Sequence, residues 1–402
     1  MEIGTIMKKL IVQIGFAAIA LFFCTGCNDT GEKVDDGKNV TGFLNHFIDT
    51  LTIDINPAGG GFVSRSPDQT KYPLGTIATL TAAVALGYTF TGWSGASEST
   101  DETITITVDG HSKLTANFKQ IPIDINNSEE WKNTMDIISG NGENKKYTIN
   151  VSRDIEVPAV TFGKVTGITV ILEGSATVAL SDNSNGSMFR IYDGQTVILN
   201  DATLRGHEHN GAPLVYVDGG TFDMRGGTIS GNTTSGNGGG VYVNSGTFTM
   251  SDGRIYGNTT TLFYSGIGIP NTSASGGGVY LNGGTFTMTD GAIWGNTVNS
   301  CMMMTTGGGW LCHNKTCGGG VYVGENAIFS KTGGVINGYD GDSENGNVVT
   351  NSRGGAISNK GHAVYAVSGN DKNIKRKETS AVLNMNLYYN AGTGESSGAW
   401  DY

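Results

Sequence analysis

Four aspartates and two arginines are the groups that could do chemistry in the clearest part of this sequence: Asp218, Asp223, Asp252, Asp290, Arg225 and Arg254. Cleaving a glycosidic bond by hydrolysis needs two or three carboxylates held close together. A lyase needs grouped acids for Ca²⁺ and a nearby Arg or Lys. Asp252 and Asp290 hold the same place in "SDGRI" and "TDGAI" and could stack as a carboxylate pair, although the turn-forming habit of Asp-Gly explains them better. Arg225 and Arg254 do not occupy matching positions. "YDGDSEN" (Tyr339–Asn345) is acidic and Gly-rich, yet lacks a full Ca²⁺ ligand pattern and is expected to be a solvated loop. "CHNKTC", with His313 between Cys312 and Cys317, fits no zinc spacing well. No nucleophile motif or phosphate loop is present, so no catalytic residue, metal or cofactor is assigned.

Binding candidates are easier to find. "LVYV", "GVYV", "GVYL", "GVYV" and "AVYA" place Tyr216, Tyr242, Tyr280, Tyr322 and Tyr365 in one recurring context. If the valines face a core, Tyr242, Tyr280 and Tyr322 form an outward row, a possible contact for carbohydrate or protein; alternatively the rings simply cover one another. Two inserts, Thr261–Ser275 and Val298–Cys317, carry Leu262, Phe263, Tyr264, Met302–Met304, Trp310 and Leu311. Such side chains are costly to leave in water and useful at an interface. A small-loop disulfide between Cys312 and Cys317 would shape the second insert and leave Cys301 unpaired.

These residues must be positioned by repeats. "GGTFDMRGGTISGNTTSGNGGGVYV" returns as "SGTFTMSDGRIYGNTT" and "GGTFTMTDGAIWGNT". Tyr216 and Tyr242 stand 26 residues apart, and the later steps lengthen to 38, 42 and 43. The extra length in the 38- and 42-residue steps is the two inserts, which should therefore leave one corner and lie side by side. Three short strands, "TFTM", "RIYG" and "GVYV", in about 26 residues make one coil of a right-handed parallel β-helix; each coil leaves its strands unpaired until the next one stacks on it. Alternation turns Phe222, Phe248 and Phe286 inward with Met224, Met250 and Met288, and turns Asp223 and Thr249 outward. Ile229, Ile255 and Ile293 line a second strand, and Val241, Val279 and Val321 a third. Asn232, Asn258 and Asn296 follow Gly at one corner, where Asn tolerates a left-handed backbone and bonds the neighbouring turn.

"SEEWKNTMDIIS" is the one convincing helix after the leader: Ser128 as N-cap, Glu129 and Glu130 in the first turn, Trp131, Met135 and Ile138 on one apolar stripe. It is placed to cap the first coil. "KKYTINVSRDIEVP" reads as paired strands, and Asn370–Ser380 as the closing segment, its basic run a solvated face. Upstream, Leu51–Gln120 alternates in "LTIDI", "IATLTA", "TITITV" and "LTANF", a small all-β module of five or six strands with Tyr88, Phe90, Trp93 and Phe118 at its core.

Three resemblances follow. "GYTFTGWSG" with "TITITVDGHSKLTANF" closely resembles the divergent, internalin B-repeat-like bacterial repeat family, which implies a spacer or adhesive module. The "GGTFTM…GGTISGNT…GGGVYV" coils resemble right-handed β-helix surface proteins, including polymorphic outer-membrane proteins and adhesin-like lipoproteins, a scaffold that also hosts polysaccharide-cleaving enzymes. "MKKLIVQIGFAAIALFFCTGC" has a basic start, an apolar run and small residues before Cys27, and "CTGC" resembles a bacterial lipobox, with Cys24 where Leu is usual. That resemblance implies cleavage before Cys27 and lipidation of its thiol.

The expected organisation is a signal peptide over 1–27, a tether over 28–50, the β module over 51–120 and a capped β-helix over 121–402. With a net charge of −11, nucleic acid is an unsuitable partner. The expected role is that of a lipid-anchored binding or adhesin-like protein at the bacterial outer membrane or cell surface, the periplasmic face included, contacting a glycan or a host or cell-surface protein. The alternatives are a polysaccharide lyase or glycoside hydrolase on the same scaffold, and a structural stalk.

Overall fold

The computed structural model describes residues 48–141, 145–261, 274–300, 302–304, 310–312, 317–338, 346–351, 363–366 and 374–376. Contacts divide the chain between Ile121 and Pro122 into two units.

The described residues of the first unit form seven strands, more than the five or six expected: β1 (Ile48–Asn56), β2 (Gly61–Ser66), β3 (Lys71–Pro73), β4 (Thr76–Val84), β5 (Tyr88–Gly95), β6 (Thr103–Val108) and β7 (Ser112–Gln120). They form one sheet in the order β3-β1-β7-β5 and a second in the order β2-β4-β6. The "TITITV" of β6 buries Ile104, Ile106 and Val108 and exposes the threonines between them, as a two-residue period requires. Trp93 and Phe118 are buried, and Tyr88 and Phe90 pack against that core. Phe90 meets Trp93 and Phe118 edge-on at 5.5 and 5.4 Å. Trp93 Nε1 donates to the Asp101 carbonyl at 2.9 Å, so the polar tip of this aromatic is satisfied within the core. Fully buried Tyr72 completes the cluster, its hydroxyl donating to the Pro67 carbonyl at 2.9 Å. It was not expected, because a three-residue strand shows no alternation.

The second unit is a right-handed parallel β-helix, in which successive coils pair in parallel through three walls. The first wall holds the long strands Val215–Met224, Val241–Met250, Val279–Met288 and Val321–Lys331. The second holds Thr228–Ser230, Arg254–Tyr256, Ala292–Trp294 and Val335–Ile336. The third holds Thr233–Thr234, Thr259–Thr261, Thr297–Ser300 and Val348–Asn351. The division differs from the sequence expectation. "VYV" and "TFTM" are one bent strand, and the third wall is a run of segments only two to four residues long, too short to carry a strand signal.

The bend accounts for the repeated "GGT" and "SGT". Gly219, Gly246 and Gly284 have φ of 105°, 86° and 71°, a region open to Gly. A Cβ at Gly246 would strike the Gly220 carbonyl oxygen of the preceding coil. Beyond the bend Phe222, Phe248, Phe286 and Phe329 stack inside, with centroids 5.3, 4.3 and 5.0 Å apart and no solvent exposure. Met224, Met250, Met288, Ile229, Ile255 and Ile293 fill the space beside them. Burying each such side chain contributes about 1.5–3 kcal/mol.

The asparagine row is buried and structural. Asn258 Oδ1 accepts from Asn232 N at 3.2 Å, Asn296 Oδ1 from Asn258 N at 3.0 Å, and Asn347 Oδ1 from Asn296 N at 3.1 Å. All four side chains have no solvent exposure, so the row binds its own neighbouring coils and leaves no donor for a ligand. The left-handed corner residue is the preceding glycine, Gly231, Gly257 or Gly295 with φ of 67°, 62° and 60°, and not the asparagine.

Helix α1 (Ser128–Asn141) stands at the start of the coils. Its cap is Asn127, one residue before the expected Ser128: Asn127 Oδ1 accepts from Glu130 N at 2.9 Å, and the Glu130 carboxylate accepts from Asn126 N at 2.8 Å. Trp131, Met135 and Ile138 are buried, with Trp131 5.9 Å from Phe189. Strands Lys146–Val151 and Ile155–Val157 do not pair with each other, contrary to expectation. They lie in successive walls and pair instead with Ile168–Glu173 and Thr177–Leu180 of the next coil. Within the expected closing segment, Ile374–Arg376 pairs in parallel with Val321–Lys331 and adds a further rung.

Candidate functional site: a tyrosine column and the cleft at its first rung

The tyrosines alternate with buried valines and stand on the outer face of the first wall. From Tyr216 through Tyr242, Tyr280 and Tyr322 to Tyr365, ring centroids lie 4.8, 5.1, 4.7 and 5.6 Å apart, nearly parallel. The inner rings Tyr242, Tyr280 and Tyr322 are covered on both faces by their neighbours, and Tyr280 keeps only 8% exposure. The column therefore offers ring edges and hydroxyls, not open faces. Burial pushes the phenols of Tyr280 and Tyr322 up to about 12 and raises those of Tyr216 and Tyr242 as well. All four are neutral donors at physiological pH, which makes them unsuitable as general bases.

Parallel register extends the column beyond the tyrosines. Tyr216 pairs with Arg190, and Arg190 with Thr161. The Arg190 guanidinium lies 4.6 Å over the Tyr216 ring and 5.1 Å from that of Tyr192. Its Nη2 donates to Asp218 Oδ2 at 2.8 Å, and Asn244 Nδ2 donates to Asp218 Oδ1 at 2.9 Å. Burial alone would raise the Asp218 carboxyl, yet these hydrogen bonds and the charge of Arg190 hold it below its ordinary value, so it stays ionised.

A cleft of about 530 Å³ opens beside this end of the column, lined by Thr161, Ser187, Arg190, Pro213, Tyr216 and Tyr242. Its origin is a step in the third wall. That wall begins only at Thr233–Thr234, and the coils before it carry loops over 181–188 and 206–213. The loops are tied together: Gly186 N donates to Asn210 Oδ1 at 2.8 Å, and His207 Nε2 lies 2.9 Å from the Ser184 carbonyl. The inserts are rooted nearby. Thr234, which lines the cleft, pairs with Thr260, one residue before the first insert. The first residue of that insert, Thr261, pairs with Asn299 at the start of the second, so both leave the same corner. At the return, Ser275 N donates to Asn237 Oδ1 at 2.9 Å, and Asn237 also lines the cleft.

Of the remaining sequence candidates, Cys27, Phe263, Tyr264 and Cys301 lie outside the described residues, as does "YDGDSEN". Trp310 and Cys312 belong to Trp310–Cys312, which pairs antiparallel with Met302–Met304, so the second insert contains a hairpin; the side chains of both strands lie outside the described set. Cys317 is buried, its N–H donating to Ser275 Oγ at 3.2 Å. Its pairing with Cys312 remains an expectation. Asp252 and Asp290 each accept from the next glycine N–H, at 2.6 and 2.8 Å, as turn formers do. Asp223 pairs with Arg225 at 2.7 Å and accepts from Thr249 Oγ1 at 2.6 Å. Arg190, Thr161 and the Asp218 ion pair were missed. Their one signal was "FRIY", which places Arg where later copies read "VYV", visible only once the weaker upstream copy is aligned to the Tyr motif.

Fold and site together define a parallel β-helix protein with a side-wall cleft, preceded by a small β module. Residues 51–122 match the family model of the divergent InlB B-repeat domain, a match confined almost entirely to that module. No curated protein and no solved structure matches the chain.

Proposed function

We propose that this chain is a lipid-anchored, extracytoplasmic binding protein with an adhesin-like role at a bacterial outer membrane or cell surface. It is tethered through Cys27 and displays its β-helix to a glycan or a surface protein. The observation that carries this reading is the convergence at one corner of the helix. The first rung of the tyrosine column, the cleft and the roots of both aromatic-bearing inserts meet there. Loops on a rigid scaffold are where binding tends to reside. The inserts are not needed for stacking, since the 26-residue coil pairs without them.

Two experiments test it. Replacing Cys27 with Ser should abolish lipid labelling and release the protein into the soluble fraction; continued labelling would refute the anchor. Replacing both inserts by the short "SGN" connection of the first copy should preserve cooperative melting while surface attachment falls. Unfolding of the trimmed chain would assign the inserts to the core, and full attachment by a folded trimmed chain would remove them from the contact.

A further inference from the structure

Resting on that binding role, we infer that the cleft beside Arg190 is a subsite for a neutral oligosaccharide. Its volume, about 530 Å³, lies within the usual range for small-ligand sites. Its lining carries groups that match sugar hydroxyls, the hydroxyls of Thr161 and Ser187 and the guanidinium of Arg190, beside the apolar ring of Pro213; the Thr234 hydroxyl is buried and already bonded to Gly211 and Gly236. Tyr216 and Tyr242 add ring edges and phenolic donors, since their faces are already occupied by each other and by Arg190. Hydrogen bonding and edge contact, not stacking, must therefore hold the sugar.

Charge selects the class. Arg190 is already matched by Asp218, whose two oxygens accept from Arg190 and Asn244. The cleft thus holds a planar fork of N–H donors with little uncompensated positive charge. The whole chain carries −11, which repels a polyanion. A uronate polymer would find neither an unmatched cation nor a favourable field, whereas a hydroxyl, which donates and accepts, needs neither.

The test uses the full chain against hexose and N-acetylhexosamine oligosaccharides and uronate oligosaccharides of equal length, with affinities measured at low and high salt. Neutral oligosaccharides should bind, and the affinity should hardly change with salt, because no ion pair forms across the interface. Arg190→Gln should weaken binding about tenfold or more, the loss expected for hydrogen bonds from a charged donor. Arg190→Lys keeps the charge over Tyr216 but not the fork and should weaken binding nearly as much. Tyr216→Phe and Tyr242→Phe keep the ring stack and should each cost about two- to tenfold. Asp218→Asn should leave Arg190 unmatched and shift preference towards uronates. Circular dichroism and melting confirm that each variant is folded. Salt-sensitive binding of uronates by the unaltered chain would overturn the neutral-sugar assignment. Unchanged affinity in folded Arg190→Gln and Tyr216→Phe chains would overturn the subsite. If those variants still attach to surfaces while the insert-trimmed chain does not, the subsite fails and the binding role stands. If the unaltered chain attaches to no surface and binds no sugar, both fail.

Discussion

Two aromatic columns run along the first wall, one on either side of the same bend. Phe222, Phe248, Phe286 and Phe329 stack inside it, and Tyr216, Tyr242, Tyr280, Tyr322 and Tyr365 stack outside it. Ring separations are alike, because the parallel register that spaces the coils spaces both columns. Their surroundings differ. The phenylalanines have no exposure and no polar atom, so their repetition is fully explained by packing. The tyrosines spend their faces on each other and keep an edge at the surface, and their first rung opens onto a cleft. Repetition in a sequence thus marks stacking. It does not separate a column that only stacks from one that also presents groups outward.

The largest expected effect comes from breaking the inner column. Phe248→Ala removes a ring packed on both sides, 5.3 Å from Phe222 and 4.3 Å from Phe286, and should cost about 3–5 kcal/mol of unfolding free energy. Thr249→Ala, one residue on and facing outward, loses only a partly buried hydrogen bond to Asp223 and should cost about 0.5–1.5 kcal/mol. Denaturant titration of the two variants checks the pair. Equal losses would mean that the faces of the strand have been assigned the wrong way round.

That assignment was legible in the sequence because alternation in "TFTM" and "VYV" is strict and the copies align. The third wall was not legible. "TT" is too short to show a period, and the coil shapes it by neighbouring register, not by local preference. Arg190 escaped for a related reason: its coil shares a register with the later ones but few letters, so only the pairing of Arg190 with Tyr216 reveals its place in the column. The capping asparagine was misplaced by one residue because Asn127 and Ser128 both suit an N-cap, and the side-chain bond of Asn127 to Glu130 decides between them. In the module over Leu51–Gln120, β4, β6 and β7 were read easily because each carries its own alternation, whereas β3 is too short to show any.

A second break addresses the corner between the walls. Asn258→Ala orphans the buried Asn232 N–H and removes the donor to the Ile229 and Tyr256 carbonyls. One buried unsatisfied group costs about 1–3 kcal/mol, so a loss of roughly 2–3 kcal/mol is expected, less than for Phe248→Ala. Thermal melts of Asn258→Ala and Asn258→Asp check it. Asp restores the Oδ1 acceptor for Asn232 but not the donor, and it buries a charge, so it should not rescue the fold.

The smallest effect at neutral pH sharpens the comparison from the tyrosine side. Phenol titration acts on the outer column alone, because phenylalanine has no proton to lose. Burial raises the Tyr280 and Tyr322 phenols to about 12 in the folded chain, against about 10 when unfolded. Below pH 10 both states hold these protons, and stability does not depend on them. As pH rises from about 10 to about 12 the unfolded chain releases protons that the folded chain keeps, so unfolding is increasingly favoured; beyond about 12 the contribution is fully lost. Tyr280→Phe retains the ring between Tyr242 and Tyr322 and removes one of these phenols. It should leave the melting temperature near neutral pH almost unchanged and make the decline between pH 10 and 12 shallower. Melting curves of both chains across that window check the expectation. A parallel decline in Tyr280→Phe would show that Tyr280 meets solvent as freely as an unfolded tyrosine, and that the rings of the outer column do not cover one another.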